Sequence, residues 1–365
     1  NDLFPGVEIP NVNYGALQAS IEACLEKNGL RRVPSFITKI IQLFETLQVR
    51  HGVMVVGVTM TGKTTVFNIL AEALTKLHAD GVPHALGWYE NVITHRLNPK
   101  SITMNEMYGN FDLATNEWTD GLVALIVREL CANTSVDRKW VIFDGPVDAI
   151  WIENMNTVLD DNKTLCLSNG ERIKLPPTMA TMFEVNDLLV ASPATVSRCG
   201  MVFLEPRYLT WFPLTQTWMA EKEERIAGIT ELLTPLLEKT VDATLVYLRK
   251  NCKEYFGSMD VNLVTTCLKQ LEAHMFLPED QRAEWQAGNY GDFPEAGTDE
   301  FSDLFKLHFV FAFIWSIGGN IDDASRVKFD TFFRGLAPSI GVELPEEGTV
   351  YDIMVDNASR SFVSW

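Results

Sequence analysis

The residues best suited to chemistry in this chain lie together at 57–64, which read Gly-Val-Thr-Met-Thr-Gly-Lys-Thr. Gly57 and Gly62 free the backbone to fold its N–H groups around phosphate oxygens, an approach that bulkier residues would obstruct. Lys63 supplies a cation for the β- and γ-phosphates, and the Thr64 hydroxyl is an oxygen ligand of the kind Mg2+ takes. The stretch Gly57, Val58, Thr59, Met60, Thr61, Gly62, Lys63 and Thr64, with Thr65 directly after it, is the candidate site for ATP or ADP with Mg2+.

A site of this kind also needs acids. Trp140-Val141-Ile142-Phe143-Asp144 is an apolar run ending in a carboxylate, placed to hold the Mg2+ shell through water. Thr64 and Asp144 are thus the candidate metal residues. ATPases of the AAA+ type usually follow this acid with a glutamate that activates the attacking water as general base. Here the following residue is Gly145. The reading is a site that binds ATP and hydrolyses it poorly or not at all; the alternative gives the base's role to Asp148. Asn186, after the apolar run Thr181–Val185, sits where a polar side chain would touch the γ-phosphate or its water, as at the sensor-1 position of AAA+ modules. Its plainer reading is a turn residue ahead of Asp187. Arg198, in Ser197-Arg198-Cys199-Gly200, is placed like an arginine finger that points into a neighbour's nucleotide site. The alternative is a surface arginine in a salt bridge, although phosphate suits its planar fork best.

These groups need rigid elements beneath them. Val53–Val56 has the composition of a buried strand, and Thr65–Leu77 carries apolar residues at helical spacing, so strand, glycine loop and helix follow in the required order. Helices are expected over Tyr14–Lys27, stopped by Asn28-Gly29, and over Ser35–Val49, entered at Pro34. Asn1–Asn13 reads as loop. Strands are expected at Asn91–Leu97, Trp140–Phe143, Thr181–Val185 and Met201–Leu204, with helices at Gly121–Leu130, at Ile150–Leu159 and from Ser192-Pro193. Tyr108–Thr119 and Lys163–Leu175 read as hairpins, the second with a two-residue turn at Asn169-Gly170. Alternating strands and helices imply an α/β fold with a mostly parallel sheet between helices. Strand signals then fade. Thr215–Leu237, Thr244–Lys250, Asn262–His274 and Asp303–Trp315 read as helices, and Glu279–Asp299 as an acidic, glycine-containing loop. The expected layout is an entry segment at 1–50, a large α/β domain at 51–212 and a smaller helical domain at 213–365.

Composition narrows the partners. A net charge of −18 over 365 residues argues against a nucleic-acid partner, which selects a basic face. The six cysteines are scattered without a Cys-x-x-Cys pair, as expected of buried free thiols in a reducing compartment. The longest apolar run, Leu304–Ile317, is broken by Lys306 and His308 and is too short for a bilayer, so no membrane partner is expected. The first residues lack the features of a signal peptide, and the abrupt start and end suggest a piece of a longer chain.

Longer runs carry a more specific signal than the glycine loop. Asp-Gly-Pro-Val-Asp at 144–148, the run at 151–165, Asn-Gly-Glu-Arg-Ile-Lys-Leu-Pro-Pro at 169–177, Phe-Glu-Val-Asn-Asp-Leu at 183–188 and Ala-Thr-Val-Ser-Arg-Cys-Gly-Met-Val at 194–202 resemble a dynein heavy chain. Leu3-Phe4-Pro5-Gly6 and Phe313–Gly319 extend the match over nearly the whole chain. The resemblance is to the second AAA+ module of the motor ring, in an axonemal rather than a cytoplasmic form. It implies a AAA+ P-loop NTPase large domain followed by a small helical domain, in a minus-end-directed microtubule motor of the cytoskeleton and cilium. It implies a module that binds ATP without turning it over, with Arg198 completing the main hydrolytic site of the first module. The hairpins at 108–119 and 163–175 match inserts that face the mechanical linker. Neighbouring AAA+ modules and that linker are the implied partners, and microtubules are reached only through other parts of the heavy chain. Val58 and Met60 depart from the family's usual loop, Met60 crowding the phosphate approach, and no sensor-2 arginine stands before Gly318-Gly319, where Lys306 and His308 are the nearest polar side chains.

Overall fold

The apolar run around Val53 is an inner strand of a parallel sheet, with a strand on either side. The structure, a computed structural model, describes residues 14–84, 87–275 and 294–365. Helices α1 (Gly15–Lys27) and α2 (Pro34–Val49) precede strand β1 (Gly52–Val56), and the glycine loop joins β1 to helix α3 (Lys63–Ala79). The short pair β2 (Pro83–His84) and β3 (Gly87–Trp88) comes before β4 (Val92–Leu97). Next are helix α4 (Met104–Tyr108), the hairpin of β5 (Gly109–Phe111) and β6 (Trp118–Asp120), helix α5 (Leu122–Ala132), strand β7 (Arg138–Asp144) and the short helices α6 (Ala149–Glu153) and α7 (Asn156–Leu159). A second hairpin, β8 (Thr164–Cys166) with β9 (Arg172–Lys174), leads to β10 (Met179–Val185), α8 (Pro193–Arg198) and β11 (Gly200–Phe203). The expected loop at Asn1–Asn13 lies outside the described residues.

The five-stranded sheet has the order β11-β1-β10-β7-β4, with every neighbouring pair parallel. Side chains alternate between its faces, as the two-residue period of a strand requires. Val53, Val55, Trp140, Ile142, Ala180 and Met182 join the core of α1, α2 and α3. Met54, Val56, Val141, Phe143, Phe183 and Val185 join the core of α5, α6 and α7 on the other face, where Phe183 stacks on Phe143 at 5.4 Å between ring centroids. Both faces of β1, β7 and β10 are covered, so these strands read as largely apolar runs, unlike the edge strand β4. By the same alternation Arg96, Asp144 and Glu184 share the α3 face at the C-terminal ends of β4, β7 and β10.

The two hairpins hold together through one cation. Arg128 of α5 donates to Asp120 of β6 at 2.5 Å and to Glu171, in the β8–β9 loop, at 2.6 Å, and these bonds hold both carboxyls below their usual range. The turn at Asn169-Gly170 differs from the two-residue expectation. Leu167 donates to Glu171 at 2.9 Å and Gly170 to Leu167 at 3.0 Å, leaving a three-residue loop in which Gly170 has φ +90°. Asn169 has no positive φ, whereas a two-residue type I′ turn needs one at both positions.

Contacts along the chain separate a first unit ending at Leu209 from a second that runs Thr210–Trp365. The second unit holds α9 (Trp211–Glu223), α10 (Ile229–Asn251), α11 (Asp260–Met275), α12 (Asp299–Ile317), α13 (Asp323–Leu336) and a hairpin of β12 (Ile353–Asp356) and β13 (Ser361–Ser364). The helices expected at Thr215–Leu237 and Thr244–Lys250 divide elsewhere. The break falls at Gly228, where φ is +83°, and Glu223 accepts from the Gly228 N–H at 2.7 Å to hold the start of α10. From there α10 runs unbroken through Glu238–Ala243, because Leu237, Val241, Leu245 and Leu248 keep one buried stripe. The expected loop at Glu279–Asp299 lies mostly outside the described residues, and Asp299 itself opens α12, capped by Thr298. Among the described residues no helix is long and apolar enough to cross a membrane. The cysteines are free thiols, but only Cys24, Cys199 and Cys267 are buried; Cys166 is exposed.

His308 of α12 lies in the second unit's interior, where its Nε2 meets Asn357 Oδ1 at 2.8 Å and its ring stacks on His274. Burial pushes its pKa down to about 4, with His274 adding to the effect. A folded pKa below the ordinary value means that the unfolded chain binds the proton more readily. His308 therefore favours folding fully above about pH 6.5, and this contribution, up to about 3 kcal/mol, is lost as pH falls toward 4. Urea midpoints measured across that window should fall less steeply with acid in His308→Gln than in the unsubstituted chain.

Candidate nucleotide site

The glycine loop has the backbone that a phosphate cradle needs. The Gly57 N–H bonds Val185 O at 3.1 Å, and a Cβ at Gly57 would lie 2.4 Å from Leu204 O and 2.7 Å from Thr61 Oγ1. Gly62 has φ +83°, and a Cβ there would lie 2.7 Å from the Phe36 ring. The loop thus passes too close to β11 and α2 for any other residue at these two positions. Val58, Thr59 and Met60 form an exposed apex, with Met60 at φ +69° and its side chain turned to solvent. Thr61 is buried, bonded through its hydroxyl to Val58 O at 2.8 Å, and Thr65 lies in the first turn of α3. The α3 N-terminus therefore opens at the loop, where its dipole favours an anion.

Lys63 donates to the carbonyls of Gly57 at 2.7 Å and Val58 at 3.1 Å. Burial pushes its pKa down, while Glu184 and Asp144 pull it back up. The hydroxyl of Thr64 donates to Glu184 Oε1 at 2.5 Å. Arg96 of β4 donates to Glu184 Oε2 at 3.0 Å, reaches Asp144 Oδ2 at 3.4 Å and bonds Asn68 of α3 at 3.2 Å. The Glu184 side chain is 7% exposed and that of Asp144 43%. Thr64 and Asp144 offer oxygen donors of the kind Mg2+ prefers, the close approach at Gly57 excludes a side chain from the loop, and the α3 N-terminus opens there, so the residues present fit a nucleotide with its cation. Sequence reasoning missed Glu184 and Arg96. An acid inside Met179–Val185 was a signal in plain view, since a carboxylate in an apolar strand requires a partner.

The remaining candidates are placed as follows. A Cβ on Gly145 would lie 2.8 Å from Asn98 Oδ1 and 3.2 Å from Pro99 Cδ, and that Asn98 oxygen already accepts from the Lys100 N–H at 2.9 Å. Asp148 is ion-paired with Lys100. Asn186, exposed beyond the end of β10, gives its amide to Asp187 at 3.2 Å rather than to the loop. Arg198, at the end of α8, pairs with Asp160 and donates to Ala194 O at 2.8 Å, with about a third of its side chain exposed. In the second unit Lys306 pairs with Asp303 at 3.1 Å, and His308 is interior.

Comparisons with known proteins agree along the chain. Residues 1–64 match the family described as the hydrolytic ATP binding site of the dynein motor region, residues 52–199 the AAA domain of the dynein-related subfamily, and residues 233–365 the dynein heavy chain AAA lid domain. The chain is 44% identical over its whole length to human dynein axonemal heavy chain 6. It is 43% identical over 99% of its length to rat dynein axonemal heavy chain 1, and 39% identical over all of it to human dynein axonemal heavy chain 2. In each case it spans 8% of the relative's length. The five-stranded parallel sheet with its helices, followed by a largely helical unit, is the AAA+ large domain and lid that these families describe.

The crowding at Gly145 makes a prediction. Gly145→Glu must displace the Asn98 side chain that caps the Lys100 N–H, so it should lower stability by about 1 kcal/mol and create no ATP turnover. Thermal unfolding and an ADP-release assay on the same preparation check both parts.

Proposed function

The chain belongs to the dynein heavy-chain family, and on that premise we propose that it is an ATP-binding, non-hydrolysing AAA+ module of a microtubule motor. The observation that carries this reading is the pairing of a complete phosphate loop, with Lys63 and Thr64 in place, with a glycine where a general base would stand. ATP or ADP would be held by the loop residues and Lys63, with Thr64 and Asp144 as the residues that would hold Mg2+. Bound Mg2+ would neutralise phosphate charge. The chain's own residues orient the nucleotide and hold it without presenting a base to water. Asp148 is a poor substitute, because Lys100 already takes up its carboxylate.

In this proposal the chain is the second module of the ring, and its neighbours are other AAA+ modules of the same heavy chain. Arg198 serves the preceding module's site by exchanging its Asp160 partner for phosphate across the boundary. That exchange would call for a side-chain rotation at a residue with about a third of its side chain exposed. The two hairpins, both bonded to Arg128, are the inserts that would face the mechanical linker. Contact with microtubules belongs to other parts of the heavy chain. The relatives' axonemal names point to the cytoskeleton of a cilium or flagellum, and the acidic charge supports partners other than nucleic acid.

Two substitutions separate the roles. Lys63→Ala should weaken ATP binding to the chain by about 10–100-fold, the loss of a charge-assisted bond. Arg198→Ala should leave that binding unchanged, while ATP turnover by a motor containing the preceding module falls about a thousandfold or more. Equilibrium titration reads the first and steady-state phosphate release the second.

A further inference from the structure

We propose that Glu184, not Asp144, is the acid that positions the cation ligand of this site, and that Arg96 is its clamp. The proposal rests on the nucleotide-binding reading above and assigns roles that the glycine loop alone does not specify. A hydroxyl has one proton to give and two lone pairs to share. By donating its proton to Glu184 Oε1 at 2.5 Å, the Thr64 hydroxyl leaves its lone pairs to a cation. An acid that fixes a metal ligand from behind in this way sets its orientation and raises its basicity.

Asp144 is differently placed. It is the more exposed of the two acids, and Arg96 reaches it at 3.4 Å, against 3.0 Å to Glu184. Glu184 is nearly enclosed, and each of its oxygens meets a donor, Thr64 on one side and Arg96 on the other. Arg96 is itself held by Asn68, so α3, β4 and β10 fix this carboxylate from three directions. A carboxylate whose oxygens are both engaged orients a ligand well and accepts a proton from water poorly, so Glu184 positions the cation without restoring the missing base.

The test is binding of a methylanthraniloyl derivative of ATP to the full chain, measured once with Mg2+ and once with EDTA. Glu184→Gln keeps the size but offers one oxygen to two donors. It should reduce the Mg2+-dependent gain in affinity by about tenfold or more and leave the EDTA affinity within about twofold. A merely structural role would shift both affinities together. Arg96→Met should lose part of the same gain, the double variant should be no worse than Glu184→Gln, and Glu184→Asp should recover part of it. An unchanged Mg2+-dependent gain in Glu184→Gln overturns the proposal. Should Glu184→Gln fail to fold, the gain in Arg96→Met decides, and an unchanged value overturns the proposal. If the unsubstituted chain binds no nucleotide in either buffer, the nucleotide reading falls and this assignment falls with it.

Discussion

Val55 of β1 pairs with Glu184 of β10, and Glu184 pairs in turn with Asp144 of β7, so the loop leaving β1 emerges directly beside two carboxylates. The site follows from that register. A shift of one residue in β10 would send Glu184 to the opposite face, into the core of α5, α6 and α7, where an ionised acid has no partner. The same alternation places Arg96 on the α3 side of β4, within reach of both acids. Parallel pairing, buried on both faces, thus determines the fold and the local charge balance together.

That balance also describes how the site would respond to a ligand. The described structure sets Lys63 and Arg96 against Asp144 and Glu184. Lys63 rests on the carbonyls of its own loop, contacts it must exchange for phosphate oxygens when nucleotide enters. Burial already disfavours its charge, so a polyanion supplies the compensation that the carbonyls give only in part. Poor hydrolysis needs no distortion in this account. The backbone at Gly145 runs against Asn98 and Pro99, and the nearby acids are each engaged, Asp148 with Lys100 and Glu184 with Thr64 and Arg96.

The features legible in the sequence are those whose cause is local. The glycine loop, its strand and its helix are consecutive, and their geometry follows from Gly57, Gly62 and the apolar spacing on either side. Glu184 and Arg96 became visible as a pair only in the structure. They are 88 residues apart, and the strand order that brings them together is not the chain order. Asn186 stood out by its residue type just past a strand, and in the structure its amide bonds its own neighbour Asp187. In the second unit, β12 and β13 are four residues each with charged and small residues between them, too short for alternation to register. The break between α9 and α10 turned on Gly228, whose left-handed backbone caps the start of α10 beyond the end of α9, where the apolar pattern alone would have continued one helix.

On the proposed function, this site holds ATP without consuming it. The most direct measurement is the nucleotide extracted from the purified chain by denaturation and separated by chromatography, followed over hours of incubation with Mg2+. The ATP bound at the start should be recovered as ATP, with no ADP accumulating. Steady appearance of ADP would contradict it, and loss of that ADP on Asp148→Asn would identify Asp148 as the base after all.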